Sequence, residues 1–322
     1  MADLDIRPLQ AGLGFGLRIR GVTRDLLTDP AQRQRINALF EAQGMIVFEE
    51  VEPSNELQLA VSNCFGPLKE HPVAAIARVD RDGMPGVVEI RSHAGNGGVV
   101  EIGGRLRSHW LPWHFDHCYN NELNRAGVLR PVIIVEDGGI TGFADGVALY
   151  NAFPKDLLAR IEGKDILYRL DGQYDTMRFG RPADLTVIRP KPEPPGFAET
   201  AAAMPRAIHP AVWTLPSGEK CLHVGPYMAQ GILGMENPEG DALLEEVCQT
   251  VNRLANEHTS YHHTWRPTDM VIWDNWRMLH CVSGNRPEDE RLMYRTTIKG
   301  DYGLGRFEEG RSGGKILSET TV

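Results

Sequence analysis

The chain has 322 residues, of which 42% are hydrophobic and 24% are charged, and its formal net charge is −9 at pH 7. This apolar content is ordinary for a globular protein and excludes intrinsic disorder over most of the length. The negative charge argues against nucleic acid or an anionic membrane as a partner. No stretch approaches the roughly 20 apolar residues of a membrane span. The N-terminus lacks a basic region followed by an apolar run, so we expect a cytoplasmic protein without a signal peptide.

The first third of the chain predicts a helix, a strand and a second helix. Thr28-Asp29-Pro30 has the capping residue and the early proline that begin a helix, and Gly44 ends it. Met45-Ile46-Val47-Phe48 follows as a buried strand. A second helix is predicted at about 54–64, where apolar residues recur at helical spacing.

The remainder predicts many short strands. Apolar runs separated mostly by Gly or Pro turns occur at 87–90, 132–135, 147–150, 212–215, 270–273 and 293–298. Helices are predicted at about 154–162 and 241–258. Such an order predicts a mainly β protein with flanking helices, built as a sandwich or barrel. No linker divides the chain, so we expect one domain over 1–322.

The segment 171–205 has many prolines and charges but no clean periodicity. Long irregular segments within compact domains are often lids or binding loops. A solvated surface insertion is the equally open alternative.

A candidate metal site is indicated by residues far apart in the sequence. His114 and Asp116 are two positions apart, so on an extended strand they face the same way. The pair alone is a weak signal, but His280 follows a second strand-like run, and Arg291 and Arg295 come shortly after it. Two histidines and one carboxylate leave positions open on an octahedral ion, which suits Fe(II) oxygen chemistry. No His-Glu-x-x-His motif of a zinc hydrolase occurs.

The sequence resembles the taurine dioxygenase/2,4-dichlorophenoxyacetate dioxygenase family of Fe(II)/2-oxoglutarate-dependent oxygenases over nearly its whole length. Five segments match that family in order: AQGMIVF at 42–48, FGPLKEHPV at 65–73, WHFD at 113–116, GGIT at 138–141, and RPTD followed by WDN within 266–275. Five ordered matches are far more specific than any single motif.

The resemblance implies a set of cofactor-binding residues. His114, Asp116 and His280 would be the iron ligands. Arg295 matches the residue that pairs with the distal carboxylate of 2-oxoglutarate, a role that suits a planar guanidinium. Thr141 matches the residue whose hydroxyl supports the same cosubstrate. Arg291 matches a second arginine near that end, with a surface ion pair to Glu288 or Asp289 as the alternative.

The resemblance also bears on the substrate. His71 matches a histidine that contacts the anionic group of taurine. Ala74 and Trp110 replace a tyrosine and an asparagine of the taurine enzyme, which makes taurine itself an improbable substrate and favours an apolar or aromatic one. We therefore expect a small carboxylate with an apolar portion, such as an aryloxyalkanoate or an amino-acid-derived acid.

Other side chains are weaker pocket candidates. Trp110, Tyr119 and Phe143 could line a pocket, although core packing is the commoner role of an aromatic side chain. Arg105 and Arg107 could hold a carboxylate, although exposed arginines are usually solvated.

The implied reaction couples oxidation of 2-oxoglutarate by O2, giving succinate and CO2, to hydroxylation or cleavage of the substrate. The implied fold is a double-stranded β-helix, or jelly roll. Two alternatives remain at this stage: a catalytically silent jelly-roll binding protein, and a metal-dependent hydrolase or isomerase on the same barrel. A homo-oligomer is compatible with the sequence.

Overall fold

The computed structural model describes residues 4–69, 86–193 and 195–308. The helices are α1 Pro30–Gln43, α2 Asn55–Ser62, α3 Gly146–Ala152, α4 Lys155–Ile161, α5 Phe197–Ala203 and α6 Pro238–Leu254, with a 3₁₀ turn at Leu26–Thr28. The first ten strands are β1 Asp5–Pro8, β2 Leu17–Arg20, β3 Met45–Phe48, β4 Val87–Ser92, β5 Val99–Ile102, β6 Arg105–His114, β7 Ala126–Ile133, β8 Thr141–Asp145, β9 Asp165–Tyr168 and β10 Thr186–Arg189. The others are β11 Ala207–Pro210, β12 Val212–Thr214, β13 Lys220–Leu222, β14 Ala229–Ile232, β15 Ser260–His263, β16 Met270–Asp274, β17 Met278–Asn285, β18 Arg291–Ile298 and β19 Arg306–Phe307.

Two large sheets dominate the architecture. The seven-stranded sheet has the order β1-β2-β3-β16-β7-β18-β4, and the six-stranded sheet has the order β10-β5-β6-β17-β8-β15. A four-stranded sheet, β14-β9-β11-β19, and the hairpin β12-β13 complete the β structure of the described residues. The predicted mainly β class with flanking helices is therefore confirmed.

The two large sheets share one apolar core. Val271 and Trp273 of β16 belong to the same buried cluster as Phe143 of β8 and Met278 of β17. The Trp273 ring lies 5.5 Å from the ring of Phe143, centroid to centroid. Gly127 makes room for this indole, because a Cβ there would lie 2.5 Å from a Trp273 ring atom. The inner faces of the two sheets therefore pack on each other through β16.

The start of the chain folds as its local sequence predicts. The Asp29 side chain accepts a hydrogen bond from the Ala31 N–H, and Pro30 occupies the first position of α1. Gly44 ends the helix with φ 72° and donates its N–H to the Phe40 carbonyl. All four residues of β3 are buried.

One predicted strand is wrong. The run 147–150 lies in α3, because the Asp145 carboxylate accepts a hydrogen bond from the Ala148 N–H and so caps a helix. An apolar run of four residues does not distinguish a buried strand from a buried helix. The run 132–135 is displaced: β7 ends at Ile133, and Val132 and Ile134 are exposed.

The segment 171–205 is partly ordered into regular structure. It contributes β10, which pairs with β5 at the edge of the six-stranded sheet, and α5. Tyr174 and Leu185 from this segment are buried against Val100 and Trp110. These contacts attach the segment to the sheet; its function as a lid, and the assignment of 1–322 to one domain, stay predictions.

No helix in the described ranges has the length and apolarity needed to cross a bilayer. The cytoplasmic location stays a prediction.

A buried ion pair fixes the turn before β17. The Arg277 guanidinium donates to both Asp145 oxygens, at 2.6 and 3.1 Å, and also to the Ala42 carbonyl at 3.3 Å. Both side chains are less than 10% exposed. The pair ties together the start of α3, the end of α1 and the first residues of β17.

We expect Asp145→Asn to lower the free energy of unfolding by about 3 kcal/mol, because it leaves Arg277 buried without its hydrogen-bonded carboxylate. Glu246→Gln, which removes an exposed pair with Arg160, is the matched control and should cost less than about 1 kcal/mol. Urea denaturation of both variants measures the difference. Equal losses of stability would contradict a special role for the Asp145–Arg277 pair.

Candidate metal centre

Two neighbouring strands of the six-stranded sheet bring the predicted metal ligands together. His114 ends β6 and pairs directly with His280 of β17. Asp116 follows two residues after His114, and its carboxylate oxygen lies 3.6 Å from His280 Nε2. One ligand atom from each of His114, Asp116 and His280 lies within 4.8 Å of the other two. The two imidazole centroids are 4.1 Å apart.

The histidine rings are oriented for metal binding. His114 Nδ1 donates to the Pro112 carbonyl at 2.8 Å, which leaves the lone pair of Nε2 free for a cation. Burial lowers the pKa of His114 to about 3, so its imidazole is neutral at physiological pH. The His280 ring packs against Trp273 at a centroid distance of 5.0 Å.

Asn275 holds the backbone at Asp116. The Asp116 N–H donates to Asn275 Oδ1 at 2.8 Å, and Asn275 Nδ2 donates to the Asp116 carbonyl at 3.1 Å. Asn275 Nδ2 also reaches Asn124 Oδ1 at 3.1 Å. The sequence signal for Asn275 is its place in the WDN motif. That motif does not show that Asn275 holds the backbone of Asp116, which lies 159 residues away in the sequence.

Arg295 contacts the metal-ligand carboxylate directly. Its guanidinium donates to the two Asp116 oxygens at 3.1 and 2.5 Å. Burial acts to raise the pKa of Asp116, but Arg295 and His280 hold it well below its usual range. Asp116 is therefore ionised and available as a ligand.

Arg291 lies four residues earlier on β18 and is buried. It donates to the Gly139 carbonyl at 3.3 Å. No carboxylate in the described part of the chain lies within ion-pair distance of it, and burial lowers its pKa to about 10. The alternative of a surface ion pair with Glu288 or Asp289 is wrong, because Arg291 is buried and both carboxylates lie beside Arg286.

The turn GGIT provides the space that Arg291 occupies. Gly139 has φ 65°, and a Cβ there would lie 3.2 Å from Arg291 Nε. Thr141 is buried, and its hydroxyl accepts a hydrogen bond from the Trp265 indole at 3.0 Å. The turn and the arginine therefore fit together as the order of motifs predicts.

The donor set fits Fe(II). Two neutral imidazole nitrogens and one ionised carboxylate are the ligands of non-haem iron oxygenases, and they leave coordination positions for other molecules. His262 and His263, by contrast, lie on opposite faces of β15: His262 is exposed, whereas His263 is buried beside Asp269. Among the described residues, the group that can hold a metal ion is therefore His114, Asp116 and His280.

The structure does not bring Trp110 to the metal cluster. Trp110 pairs with Ser283, which is three residues after His280, so strand alternation turns both side chains to the other face of the sheet. There Trp110 packs against Tyr174 and borders a cavity of about 390 Å³ that Cys281 also lines. A bulge between His280 and Val282 separates the two regions and could not be read from the sequence.

Other pocket candidates are also engaged elsewhere. Arg107 donates to both oxygens of Asp137, at 3.0 and 3.2 Å, and Arg105 approaches the same carboxylate. Phe143 is fully buried between the sheets, and Tyr119 is buried as well. His71 and Ala74 lie outside the described residues.

Comparison with known proteins gives the family. The model of the family described as "Taurine catabolism dioxygenase TauD, TfdA family" matches residues 5–297. The chain belongs to the TauD/TfdA dioxygenase family. It is 30% identical to a (S)-phenoxypropionate/alpha-ketoglutarate-dioxygenase of Sphingobium herbicidovorans, over 92% of this chain and 95% of that protein.

Two more distant similarities agree. An alpha-ketoglutarate-dependent 2,4-dichlorophenoxyacetate dioxygenase of Cupriavidus pinatubonensis is 26% identical over 77% of this chain and 81% of its own. A taurine dioxygenase structure from Burkholderia xenovorans, 22% identical, superposes with a TM-score of 0.67 and covers 96% of this chain and 97% of that one, which supports the fold.

TauD/TfdA dioxygenases use Fe(II), 2-oxoglutarate and O2, so the predicted family, enzyme class and cofactor set are confirmed. Family membership favours the dioxygenase over both alternatives that the sequence left open. The finer question of substrate is separate.

We expect Asp116→Ala to weaken Fe(II) binding more than about 100-fold, and Asn275→Ala to weaken it about 10- to 100-fold, because the second change only loosens the ligand backbone. Asp175→Ala, at an exposed aspartate, is the control and should bind normally. Anaerobic titration against a chelating dye measures the affinities. Normal binding by Asp116→Ala would contradict the proposed ligand set.

Proposed function

We propose that this chain is a 2-oxoglutarate-dependent dioxygenase that oxidises a small organic acid with an apolar portion and releases succinate and CO2. The single observation that carries the proposal is the convergence of His114, Asp116 and His280 beside Arg295. We also propose the jelly roll as the arrangement of the two large sheets, which the shared core cluster supports.

The three ligand side chains would hold Fe(II), which supplies the redox chemistry that couples decarboxylation of 2-oxoglutarate to substrate oxidation. Asn275 and the Pro112 carbonyl keep Asp116 and His114 in position before the metal arrives. Such preorganisation lowers the cost of assembling the site, and the open positions remain for the cosubstrate and O2.

We propose a division of work between the two arginines. The resemblance assigns the distal carboxylate of 2-oxoglutarate to Arg295. Because Arg295 is engaged with Asp116, we infer that it faces the end of the cosubstrate nearest the metal. Arg291 is a buried cation without a carboxylate partner among the described residues. It donates to Gly139, two residues before the buried Thr141, so this pair suits the distal carboxylate.

The proposed substrate class is an aryloxyalkanoate or a similar apolar acid. Two relatives named for phenoxypropionate and 2,4-dichlorophenoxyacetate support an aryl ether acid over taurine. The register turns Trp110 to the sheet face opposite His280, and its contact with the substrate stays a prediction. The substrate contact of His71 and a homo-oligomeric state stay predictions.

We expect succinate release with Fe(II), 2-oxoglutarate and ascorbate to be at least 10-fold faster with an aryloxyalkanoate than with taurine. The panel contains phenoxyacetate, 2-phenoxypropanoate, alkyl sulfates, taurine and N-acyl amino acids. Omission of iron is the control and should abolish turnover. Equal stimulation by taurine and by the best carboxylate would contradict the proposed substrate class.

The role of Arg291 is tested through its neighbour. In Gly139→Ala the added Cβ would lie 2.7 Å from Val135 Cγ2 and 3.2 Å from Arg291 Nε, so it displaces the turn that positions Arg291. We therefore expect the KM for 2-oxoglutarate to rise about 10-fold while Fe(II) affinity is unchanged. Gly163→Ala is matched, because Gly163 also has positive φ, 77°, but has open space around it. An unchanged KM in Gly139→Ala, with stability equal to that of the control, would remove Arg291 from the cosubstrate site.

A further inference from the structure

Lys191 is held firmly in the segment that follows β10. Its N–H donates to Gln173 Oε1 at 3.1 Å, and its carbonyl accepts from Gln173 Nε2 at 2.9 Å. Its aliphatic chain crosses Gly98, where a Cβ would lie only 2.8 Å from Lys191 Cγ. One glutamine therefore brackets the lysine backbone, and one glycine admits its side chain.

The Lys191 ammonium lies between two tyrosine rings. Nζ is 4.2 Å from the ring centroid of Tyr174 and 5.0 Å from that of Tyr227. It donates one hydrogen bond, to the Tyr227 hydroxyl at 2.8 Å, and that hydroxyl donates to the Gly172 carbonyl. An ammonium has three N–H donors, so two remain for another acceptor.

Lys191 lacks a counter-ion in the described part of the chain. No carboxylate there lies within 4.0 Å of Nζ, and Asp171 acts on it only from a longer distance. Burial lowers the pKa of Lys191 to about 7, because the charged form has lost water that no carboxylate replaces. A bound anion would compensate this loss.

One aromatic ring, that of Tyr227, lies between the ammonium and a metal ligand. The Tyr227 ring that contacts Lys191 lies 5.8 Å from the ring of the metal ligand His114. The loop carrying Tyr227 packs directly on the ligand strand, because a Cβ at Gly225 would lie 3.1 Å from His114 Cα. Two aromatic contacts, of 5.0 and 5.8 Å, therefore connect the ammonium to the metal face.

We propose that Lys191 binds the carboxylate of the primary substrate and, with Tyr227, fixes which carbon of that substrate faces the iron. This inference rests on the proposed function, because it names the group that recognises the acid in the same site. Arg295 is committed to Asp116, and Arg291 lies against Gly139. Lys191 is a buried cation, one aromatic ring away from His114, that neither of these contacts accounts for.

The chemistry suits this assignment. An ammonium held between aromatic rings and stripped of water forms a strong charge-assisted hydrogen bond with a carboxylate. A neutral amide of the same shape offers no charge to satisfy the cation. Lys191 therefore selects for an acid, and the aromatic rings beside it favour an apolar body on that acid.

The test is anaerobic calorimetric titration of the enzyme loaded with Fe(II) and 2-oxoglutarate. The probes are phenoxyacetate, 2-phenoxypropanoate and 3-phenylpropanoate, each paired with its primary amide. We expect at least one acid to bind the wild type at least 10-fold more tightly than its amide. In Lys191→Met, the affinity for that acid should fall about 10- to 100-fold, while the affinity for the amide changes less than about 2-fold.

Three controls separate recognition from folding. Lys155→Met removes an exposed lysine at the start of α4 and should leave acid and amide binding unchanged. Lys191→Arg retains the charge and should retain a preference for the acid. The affinity of Lys191→Met for 2-oxoglutarate should equal that of the wild type.

The inference is overturned if the acid preference survives in Lys191→Met, if it is lost equally in Lys191→Arg, if 2-oxoglutarate affinity falls in parallel, or if the wild type prefers no acid over its amide. The proposed function is judged separately, by iron-dependent succinate release from 2-oxoglutarate in the wild type. If turnover occurs but does not depend on Lys191, only the proposed role of Lys191 is contradicted. If the enzyme selects for acids but shows no turnover, only the proposed reaction is contradicted.

Discussion

The pairing of β6 with β17 is the constraint on which the metal centre depends. The register sets His114 directly opposite His280, so two side chains separated by more than 160 residues in sequence come to one face of one sheet. A shift of one residue would turn one imidazole to the other face and abolish the cluster. The Asp145–Arg277 pair and the burial of Trp273 hold the segment that leads into β17.

The surroundings of each charged group in the cluster determine its protonation state. Asp116 has a guanidinium partner and a clamped backbone, so its carboxylate remains ionised even though it is buried. His114 is neutral, because burial disfavours its protonated form more than the nearby Asp116 carboxylate favours it. The environments of Asp116 and His114 thus maintain the protonation states that a divalent cation requires.

The sequence predicted the metal ligands well and the surrounding pocket poorly. His114, Asp116 and His280 were predictable because strand alternation places the first two on one face and because five motifs occur in family order. The mainly β class followed from short runs between turns, but 147–150 was assigned to a strand since nothing in four apolar residues announces that Asp145 caps a helix. The direction of the Trp110 side chain cannot be read from the sequence, because it depends on the bulge beside His280.

The contacts that sequence reasoning missed are all long-range. Arg295 reaches Asp116 across 179 residues, and Asn275 reaches it across 159. Lys191 drew no attention, because it lies in a segment without periodicity and only the folded chain brings it to Tyr227. Residue type and spacing identify groups on one strand, whereas groups contributed by separate sheets depend on tertiary packing.

The attachment of β10 to the edge of the six-stranded sheet has an evolutionary consequence. The proposed iron ligands come from β6, β17 and the turn after β6, whereas Lys191 is delivered by a segment that packs along the edge of that sheet through β10, Tyr174 and Leu185. A substitution in that peripheral element can therefore change the group proposed to recognise the substrate while the strands that carry the metal ligands stay intact.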